Sequence, residues 1–335
     1  MNSFGRLFRV SLFGESHGPI VGILVDGCPA GIEIGAEDFA ADLGRRKGGR
    51  PGTTSRVEPD EPRLMSGVHR GRTTGAPLLI YFENRDVRSE DYRESESKPR
   101  PGHADLAASR KYGGFQDGRG GGHFSGRLTA GIVAAGVVAK KIIRPIEIRG
   151  KIISCGGSAD IEAAVSAAAA ERDSVGGVVE CLARDVPAGL GEPFFDSVES
   201  VLGHLVFSIP GIKGIEFGDG FRGAASRGSE FNDAILDASG RTRTNHAGGL
   251  NGGLTNGNDL LFRVAVRPTP TIGREQETID LGTGRPSVIA SGGRHDACIA
   301  LRLPVILEAA AALVIADFML ISQVIPRIGE KPWTS

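Results

Sequence analysis

Two stretches near the start of the chain alternate between apolar and polar residues or run apolar. They cover residues 6–13 and 20–26, and a glycine-containing segment separates them at 14–18. Apolar residues at every second position on both sides of a short turn are typical of two antiparallel strands. Similar signals predict strand and turn over residues 64–82 and a short helix over 38–43, followed by a basic loop.

The longest apolar segments predict buried helices. Residues 128–143 have almost no polar face, and a helix that is apolar all round is a buried one. Residues 303–324 are similarly apolar, but they contain Pro304, Glu308 and Asp317. These three residues favour a core helix over a membrane span, so we expect a soluble protein with no membrane partner.

Weaker patterns divide the remainder of the chain. Further helices are predicted over 161–172 and 197–207, and further strands over 176–183, 214–217 and 260–266. The last long helix is predicted over 305–323, within the apolar segment 303–324. Residues 85–98 are densely charged with both signs, which favours an exposed loop or mobile flap. Neither a repeat nor a Pro/Ser-rich linker interrupts these patterns. We therefore expect a single α+β domain over residues 1–335, with buried helices packed against sheets.

Composition narrows the classes of function. Lys and Arg total 39 against 40 for Asp and Glu, a net charge of −1, which argues against nucleic acid as a partner. The 50 glycines are roughly twice the usual share of about 7%, as in turns and ligand loops. The four cysteines lie far apart, which argues against a disulfide framework and against a metal site. With no signal-peptide pattern at the N-terminus, the expected location is the cytoplasm.

Residues 100–127 carry the strongest chemical signal. Their cationic side chains are Arg100, Arg110, Lys111, Arg119 and Arg127. His103 and His123 lie in the same segment, among glycines whose amides can converge on an anion. Arginine presents forked donors to phosphate and carboxylate, and histidine exchanges protons near neutral pH. The segment therefore predicts a site for a small ligand with several negative charges.

Other segments add candidates for the same site. Ser16 and His17 lie in a glycine-flanked turn whose sequence formally matches the nucleophile elbow of hydrolases, but two strands flank it rather than a strand and a helix. The cationic run at 45–56 is embedded in glycines, which favours an anion-binding loop over a solvated face. Residues 267–271 form a proline-stiffened turn, and residues 292–296 bring Arg, His and Asp together. The chain has no Walker A motif and no dinucleotide-binding glycine motif.

Taken together, these motifs resemble those of chorismate synthase. The resemblance covers essentially the whole chain, through the segments 14–18, 25–27, 100–105, 111–113, 118–127, 245–249 and 294–298. It implies conversion of 5-enolpyruvylshikimate 3-phosphate to chorismate by anti-1,4-elimination of phosphate, with reduced FMN as cofactor. The substrate carries two carboxylates and a phosphate, in agreement with the density of arginines.

The resemblance also assigns roles to residues. His17 would protonate the departing phosphate, His103 would stabilise the reduced flavin, and Asp296 with Ser16 would relay the proton from the substrate. The residues that would bind the substrate anions are Arg46, Arg50, Arg100, Arg127 and Arg294. The residues that would contact FMN are His123, Phe124, Ser125, Gly252, Arg267, Pro268, Thr269, Pro270, Thr271 and Arg294. Assigning Arg50 rather than Arg56 depends on where a gap is placed in the basic loop.

Architecture and partners follow from the same resemblance. It implies a β-α-β sandwich with helices buried between antiparallel sheets, assembled as a homotetramer, with reduced FMN supplied by an external flavin reductase. The commoner family sequence Arg-Ser-Ser-Ala-Arg is His123-Phe124-Ser125-Gly126-Arg127 here.

Two alternatives remain open. An FMN-dependent oxidoreductase would need a nicotinamide-binding element. The sequence offers only Arg46 and Arg50 for this purpose, as a binding site for the 2′-phosphate of NADP. A flavin- or phosphate-binding sensor derived from the same fold would be indicated by loss of His17, His103 or Asp296, and all three are present.

Overall fold

The computed structural model describes residues 1–290 and 294–323, so the predicted positions Gly292 and 324 onward lie outside it. The strands are β1 (Ser3–Phe4), β2 (Arg9–Gly14), β3 (Ile20–Asp26), β4 (Arg63–Ser66), β5 (Val68–His69), β6 (Arg72–Thr73), β7 (Leu78–Glu83), β8 (Glu147–Cys155), β9 (Gly177–Arg184), β10 (Ile212–Phe217), β11 (Leu250–Asn251), β12 (Leu254–Thr255), β13 (Leu260–Val266), β14 (Glu275–Ile279) and β15 (Pro286–Ala290). The α-helices are α1 (Ala40–Arg46), α2 (Arg93–Ser97), α3 (Asp105–Tyr112), α4 (Thr129–Ile142), α5 (Ile161–Ala170), α6 (Val198–Ser208), α7 (Gly220–Gly223), α8 (Gly228–Phe231) and α9 (Leu303–Ile321). Short 3-10 helices cover Ala36–Phe39, Ser89–Tyr92, Arg119–Phe124, Gly126–Leu128, Phe194–Asp196 and Ile299–Arg302.

Two antiparallel sheets form the outer layers. One has the strand order β1-β2-β3-β7-β4 and the other the order β10-β13-β9-β8. In the first sheet Leu12 pairs with Ile23, and Ile23 pairs with Ile80 on the other side. Because side chains alternate across a strand, Val21, Ile23 and Val25 all point to the core and are fully buried.

Helices α4 and α9 lie between the sheets. Helix α4 packs on β3, α9 packs on β8 and β9, and the two helices pack on each other. A Cβ atom at Gly136 of α4 would lie 2.3 Å from Cβ of Ala309, so this crossing requires glycine. Both helices are buried along almost their whole length. The predicted α+β fold, a β-α-β sandwich with buried helices, is confirmed.

Helix α9 combines high hydropathy with two buried carboxylates. The helical stretch Ile299–Ile321 has a mean hydropathy of 2.1, enough by length and composition to cross a membrane, but 83% of its apolar window is buried inside the protein. Glu308 accepts hydrogen bonds from Arg45, Lys140 and the amide of Gly150. These contacts fix α9 to α1, α4 and β8 at the centre of the molecule.

Several elements differ from the sequence-based expectations. Helix α1 runs through Gly44 to Arg46 and buries Leu43 and Arg46, so Arg46 is presented by a helix and not by the basic loop. Residues 85–98 contain a 3-10 helix and α2 and are not one exposed loop. Helix α3 and strands β8, β14 and β15 were not predicted.

Candidate active site

A cavity of about 230 Å³ lies between the end of α1, the glycine-rich segment 118–127 and the start of α9. The cationic residues that line it are Arg46, Lys47, Arg56, Arg100, Arg127, Arg267, Arg294 and Arg302. Among the described lining residues, the carboxylates are those of Glu58 and Asp296. Such an excess of cations suits a small ligand with several negative charges.

An ion cluster under the cavity holds two of these arginines. The carboxylate of Asp60, whose side chain is fully buried, accepts hydrogen bonds from Arg46 at 2.6 Å and from Arg127. Burial alone would raise the pKa of Asp60, but the two guanidinium groups outweigh it and hold that pKa below its usual value. Nε of Arg46 is buried and has no partner within the described residues. The cluster therefore fixes the two arginines and leaves a donor for a ligand.

Ser16 is fixed by a neighbouring arginine. Nη1 of Arg56 donates to Ser16 Oγ at 2.8 Å and Nη2 donates to Ser16 O at 2.9 Å. Glu58 accepts from the same guanidinium at 2.7 Å and holds it in place. Because arginine is only a donor, Ser16 Oγ accepts this bond and its hydroxyl hydrogen is free for another acceptor.

His17 lies behind the glycine-rich wall and not on the cavity surface. Its Nδ1 is 3.1 Å from Oγ of Ser89, and its ring meets the ring of Tyr92 edge-on at 5.2 Å. A Cβ atom at Gly120, which has a φ of +59°, would lie 2.6 Å from Nε2 of His17. Glycine at this position lets Nε2 approach the cavity wall. Burial, followed by Arg56, lowers the pKa of His17.

His103 is held by a carboxylate. Its Nδ1 is 2.6 Å from Oδ1 of Asp105, and Asp105 also accepts two hydrogen bonds of 2.8 Å from Arg100. Burial would raise the pKa of Asp105, but the bonds from Arg100 and His103 outweigh it and keep that pKa well below its usual range. An ionised Asp105 therefore accepts the Nδ1 hydrogen of His103, and Nε2 is left to exchange protons.

Arg294 and Asp296 complete the wall of the cavity. Arg294 donates to the carboxylate of Asp86 at 2.6 Å. Asp296 accepts from the amide of Thr54 at 2.9 Å and from Arg302 at 3.4 Å. Both Asp296 oxygens thus accept hydrogen bonds, which fixes this side chain at the cavity wall.

A second cavity, of about 570 Å³, adjoins the first. The residues that line both are His103, Phe124, Ser125, Thr129, Ile209, Pro210, Gly211 and Arg267. His123 lines the second cavity only, where its ring contacts Gly14 O at 2.9 Å and Asn2 Oδ1 at 3.1 Å. Thr269 Oγ1, on the side of the first cavity, is buried without a partner in the described part of the chain.

The structure brings most of the predicted residues together, with some exceptions. Arg50 is exposed and donates to Arg45 O at 2.7 Å, while Arg56 lines the cavity. Gly252 is at the turn of the β11–β12 hairpin and lines neither cavity. Pro268 lies between lining residues without lining the cavity itself, whereas Pro270 and Thr271 do.

Sequence reasoning did not single out several residues of the site. They are Glu58, Asp60, Asp86, Ser89, Tyr92 and Arg302. Arg56 belongs to the basic run, but the sequence alone does not favour it over Arg50 as a residue of the site. The local sequence offers no signal for Asp60, since Arg46 and Arg127 are distant in the chain. Glu58, by contrast, is two residues from its partner Arg56. Within the described residues no group of three or more His, Cys, Asp and Glu side chains could hold a metal ion.

Comparisons with known proteins point to one family. The sequence model of one family, described as chorismate synthase, matches residues 8–320. A chorismate synthase from Chitinophaga pinensis is 60% identical over 96% of this chain and 98% of its own length. One from Thermococcus kodakarensis is 44% identical over 94% of this chain and 97% of its own length. A solved structure titled "Crystal Structure of Chorismate Synthase" superposes with a TM-score of 0.73 at 25% identity and covers 95% of this chain and 93% of that one.

Proposed function

The chain belongs to the chorismate synthase family of lyases, and we propose that it converts 5-enolpyruvylshikimate 3-phosphate to chorismate and phosphate by an anti-1,4-elimination that requires reduced FMN. The observation that carries this proposal is the cation-lined cavity with His17, His103, Ser16 and Asp296 around it. A substrate with two carboxylates and a phosphate matches the charge of Arg46, Arg100, Arg127 and their neighbours.

The surroundings of the cavity fit a flavin phosphate. The adjoining cavity has room beside the first, and its shared wall contains Phe124, Ser125 and Arg267. The buried hydroxyl of Thr269 has no partner in the described residues and can donate to a phosphate or a ring oxygen. Residues 123–125 and 267–271 with Arg294 would therefore hold the cofactor. When bound, reduced FMN would supply an electron-rich ring that favours C–O cleavage and accepts a proton.

His17 is the proposed acid for the leaving phosphate. Burial and nearby Arg56 lower the pKa of His17, so it is neutral near pH 7 before the substrate binds. A bound phosphate dianion favours the imidazolium form. During the elimination the C–O bond breaks with its electron pair on the phosphate oxygen, and the proton moves from His17 Nε2 to that oxygen.

The proton on C6 of the substrate must also be removed during the elimination. The C6–H electron pair forms one ring double bond, and the existing ring double bond shifts by one position towards the carbon that loses the phosphate. We propose that Ser16, whose hydroxyl hydrogen is free, and Asp296 carry this proton away. His103, with Nδ1 held by Asp105, would hold a proton at Nε2 for the reduced cofactor.

Anaerobic incubation with reduced FMN and 5-enolpyruvylshikimate 3-phosphate tests the function. Chorismate and phosphate should appear in equal amounts, with none formed when oxidised FMN replaces the reduced form. The His17→Gln variant should lower turnover by about 10²–10⁴-fold if His17 is the acid. Oxidation of the flavin without chorismate would instead indicate an oxidoreductase, and flavin binding with no reaction would indicate a sensor.

We further propose a homotetramer in the cytoplasm that receives reduced FMN from a separate flavin reductase. Large apolar side chains support association, since Phe194, Phe195 and Phe221 are 87%, 92% and 86% exposed in the single chain. Light scattering during gel filtration should give four times the mass of the chain, and a monomer at micromolar concentration would contradict this assembly.

A further inference from the structure

We propose that Ser89 is a positioning residue for His17: its hydroxyl accepts a hydrogen bond from Nδ1 and leaves Nε2 as the nitrogen that exchanges the proton. The proposal rests on the proposed function, in which His17 protonates the leaving phosphate. It assigns a role to a residue of the charged segment 85–98, which the sequence predicts to be an exposed loop or flap.

The orientation of the His17 ring carries the argument. Nδ1 is 3.1 Å from Ser89 Oγ, while Nε2 is next to Gly120, a residue that lines the cavity. Of the two ring nitrogens, Nε2 is therefore the one on the side of the cavity, and we infer that it passes the proton to the ligand. The proton that remains on the ring is then on Nδ1 and needs an acceptor, and Ser89 Oγ is within hydrogen-bond distance of it.

The segment that carries Ser89 is tied to the turn that carries His17. The side-chain amide of Asn84 donates to Glu15 O at 3.0 Å and to Gly18 O at 2.8 Å, on both sides of the histidine. Glu58 accepts from the amides of Arg85 and Asp86 at 2.8 and 3.2 Å. These bonds hold the start of the segment close to the turn that carries His17.

The other groups that face His17 do not replace this contact. Arg56, Arg119 and Arg294 oppose the imidazolium through space, and Asp117 favours it. Tyr92 meets the ring edge-on. In the described part of the chain, Ser89 is the hydrogen-bond partner of a ring nitrogen of His17. Without the Ser89 hydroxyl, Nδ1 of His17 would lose this acceptor. The three cations would then outweigh Asp117 in their effect on the imidazolium.

The Ser89→Ala variant of the full chain tests the proposal with two readouts. Turnover should fall about 10- to 100-fold, the effect expected when a charged group loses a hydrogen bond. In protein labelled at the histidine rings, NMR should show His17 titrating at lower pH than in the wild type. The His17 signal is assigned by its absence from the His17→Gln variant.

Two further variants separate positioning from folding. Ser89→Thr keeps the hydroxyl and should restore both the titration and most of the turnover. Ser97→Ala removes a hydroxyl from the same segment that donates only to Glu94 O, at 3.3 Å, and should change neither readout.

The outcomes also distinguish this proposal from the proposed function. If His17 titrates at the same pH in Ser89→Ala as in the wild type, the proposal is overturned, whether or not turnover falls. A fall in turnover without that shift would be a structural defect that does not act through the His17 ring. A shifted titration with normal turnover would support the contact between Ser89 and His17, but it would overturn the role of His17 as the acid.

Discussion

At the scale of single residues, the candidate site depends on carboxylates that hold its cations from behind. Asp60 is 14 residues from Arg46 and 67 residues from Arg127 in the chain, yet it binds both. The arginines are visible in the sequence through their local density. Their carboxylate partners are not, because the pairing exists only once the sheet and helices bring distant segments together.

Removing the charge of Asp60 should strongly destabilise the fold. We expect Asp60→Asn to lower the free energy of unfolding by about 3–5 kcal/mol, because two buried guanidinium groups lose their counter-charge. Chemical denaturation measures this effect. Asp237→Asn, in an exposed pair with Arg241, is the control and should change stability little. Equal stability of Asp60→Asn and wild type would show that water solvates the two arginines well enough to replace the carboxylate.

His17 should leave a signature in the pH dependence of stability. Its pKa in the folded state is below the usual value of 6.5, so the unfolded chain takes up a proton at higher pH than the folded one does. Stability should therefore fall as the pH decreases from about 6.5 towards the folded value. Urea unfolding at roughly pH 7.5 and 5.5 should show a smaller loss for His17→Gln than for the wild type. Equal losses in the two proteins would contradict the burial of a neutral His17.

At the scale of elements, uniform hydrophobicity predicted α4 and α9 well because burial on all sides leaves a clear pattern. Strand β8 alternates between exposed and buried positions and could have been found by the same test as β3. Helix α3 buries only Ala108, so its sequence carries little periodic signal. The order within residues 85–98 depends on contacts such as Tyr92 with His17, which local sequence does not report.

The crossing of α4 and α9 should be sensitive to a single methyl group. Gly136→Ala places a Cβ 2.3 Å from Cβ of Ala309 and should lower the free energy of unfolding by about 1–3 kcal/mol. Gly203→Ala in α6 is the matched control, since its Cβ would have no neighbour within 4 Å. That control should raise stability by about 0.5–1 kcal/mol through helix propensity. Similar changes in both variants would show that helix propensity, not packing, governs position 136.

At the scale of the whole molecule, the order of motifs along the sequence was enough to predict the fold. It was not enough to place every side chain, as Arg50 and Gly252 show. A gap in the basic loop decides between Arg50 and Arg56, and only the path of the loop from α1 places Arg56 at Ser16. The N-terminal segment and the last helix also meet, through Asp317 and the amides of Arg6, Leu7 and Phe8.

This contact between the N-terminal segment and α9 should contribute to global stability. Asp317→Ala leaves three amides without their acceptor and should lower the free energy of unfolding by about 2 kcal/mol. Hydrogen exchange of the Arg6, Leu7 and Phe8 amides should also accelerate. If exchange accelerates while the unfolding free energy is unchanged, the segment opens locally and does not belong to the cooperative core.

The cation-lined cavity has a consequence for turnover itself. If the arginines of the cavity bind the phosphate of the substrate as proposed, they would bind inorganic phosphate by the same chemistry after the C–O bond has broken. The product is thus a competitor for the site that formed it, and its release is opposed by the charges that made binding favourable. If the chain carries out the proposed elimination, we expect phosphate buffer to inhibit it and removal of phosphate to favour product formation.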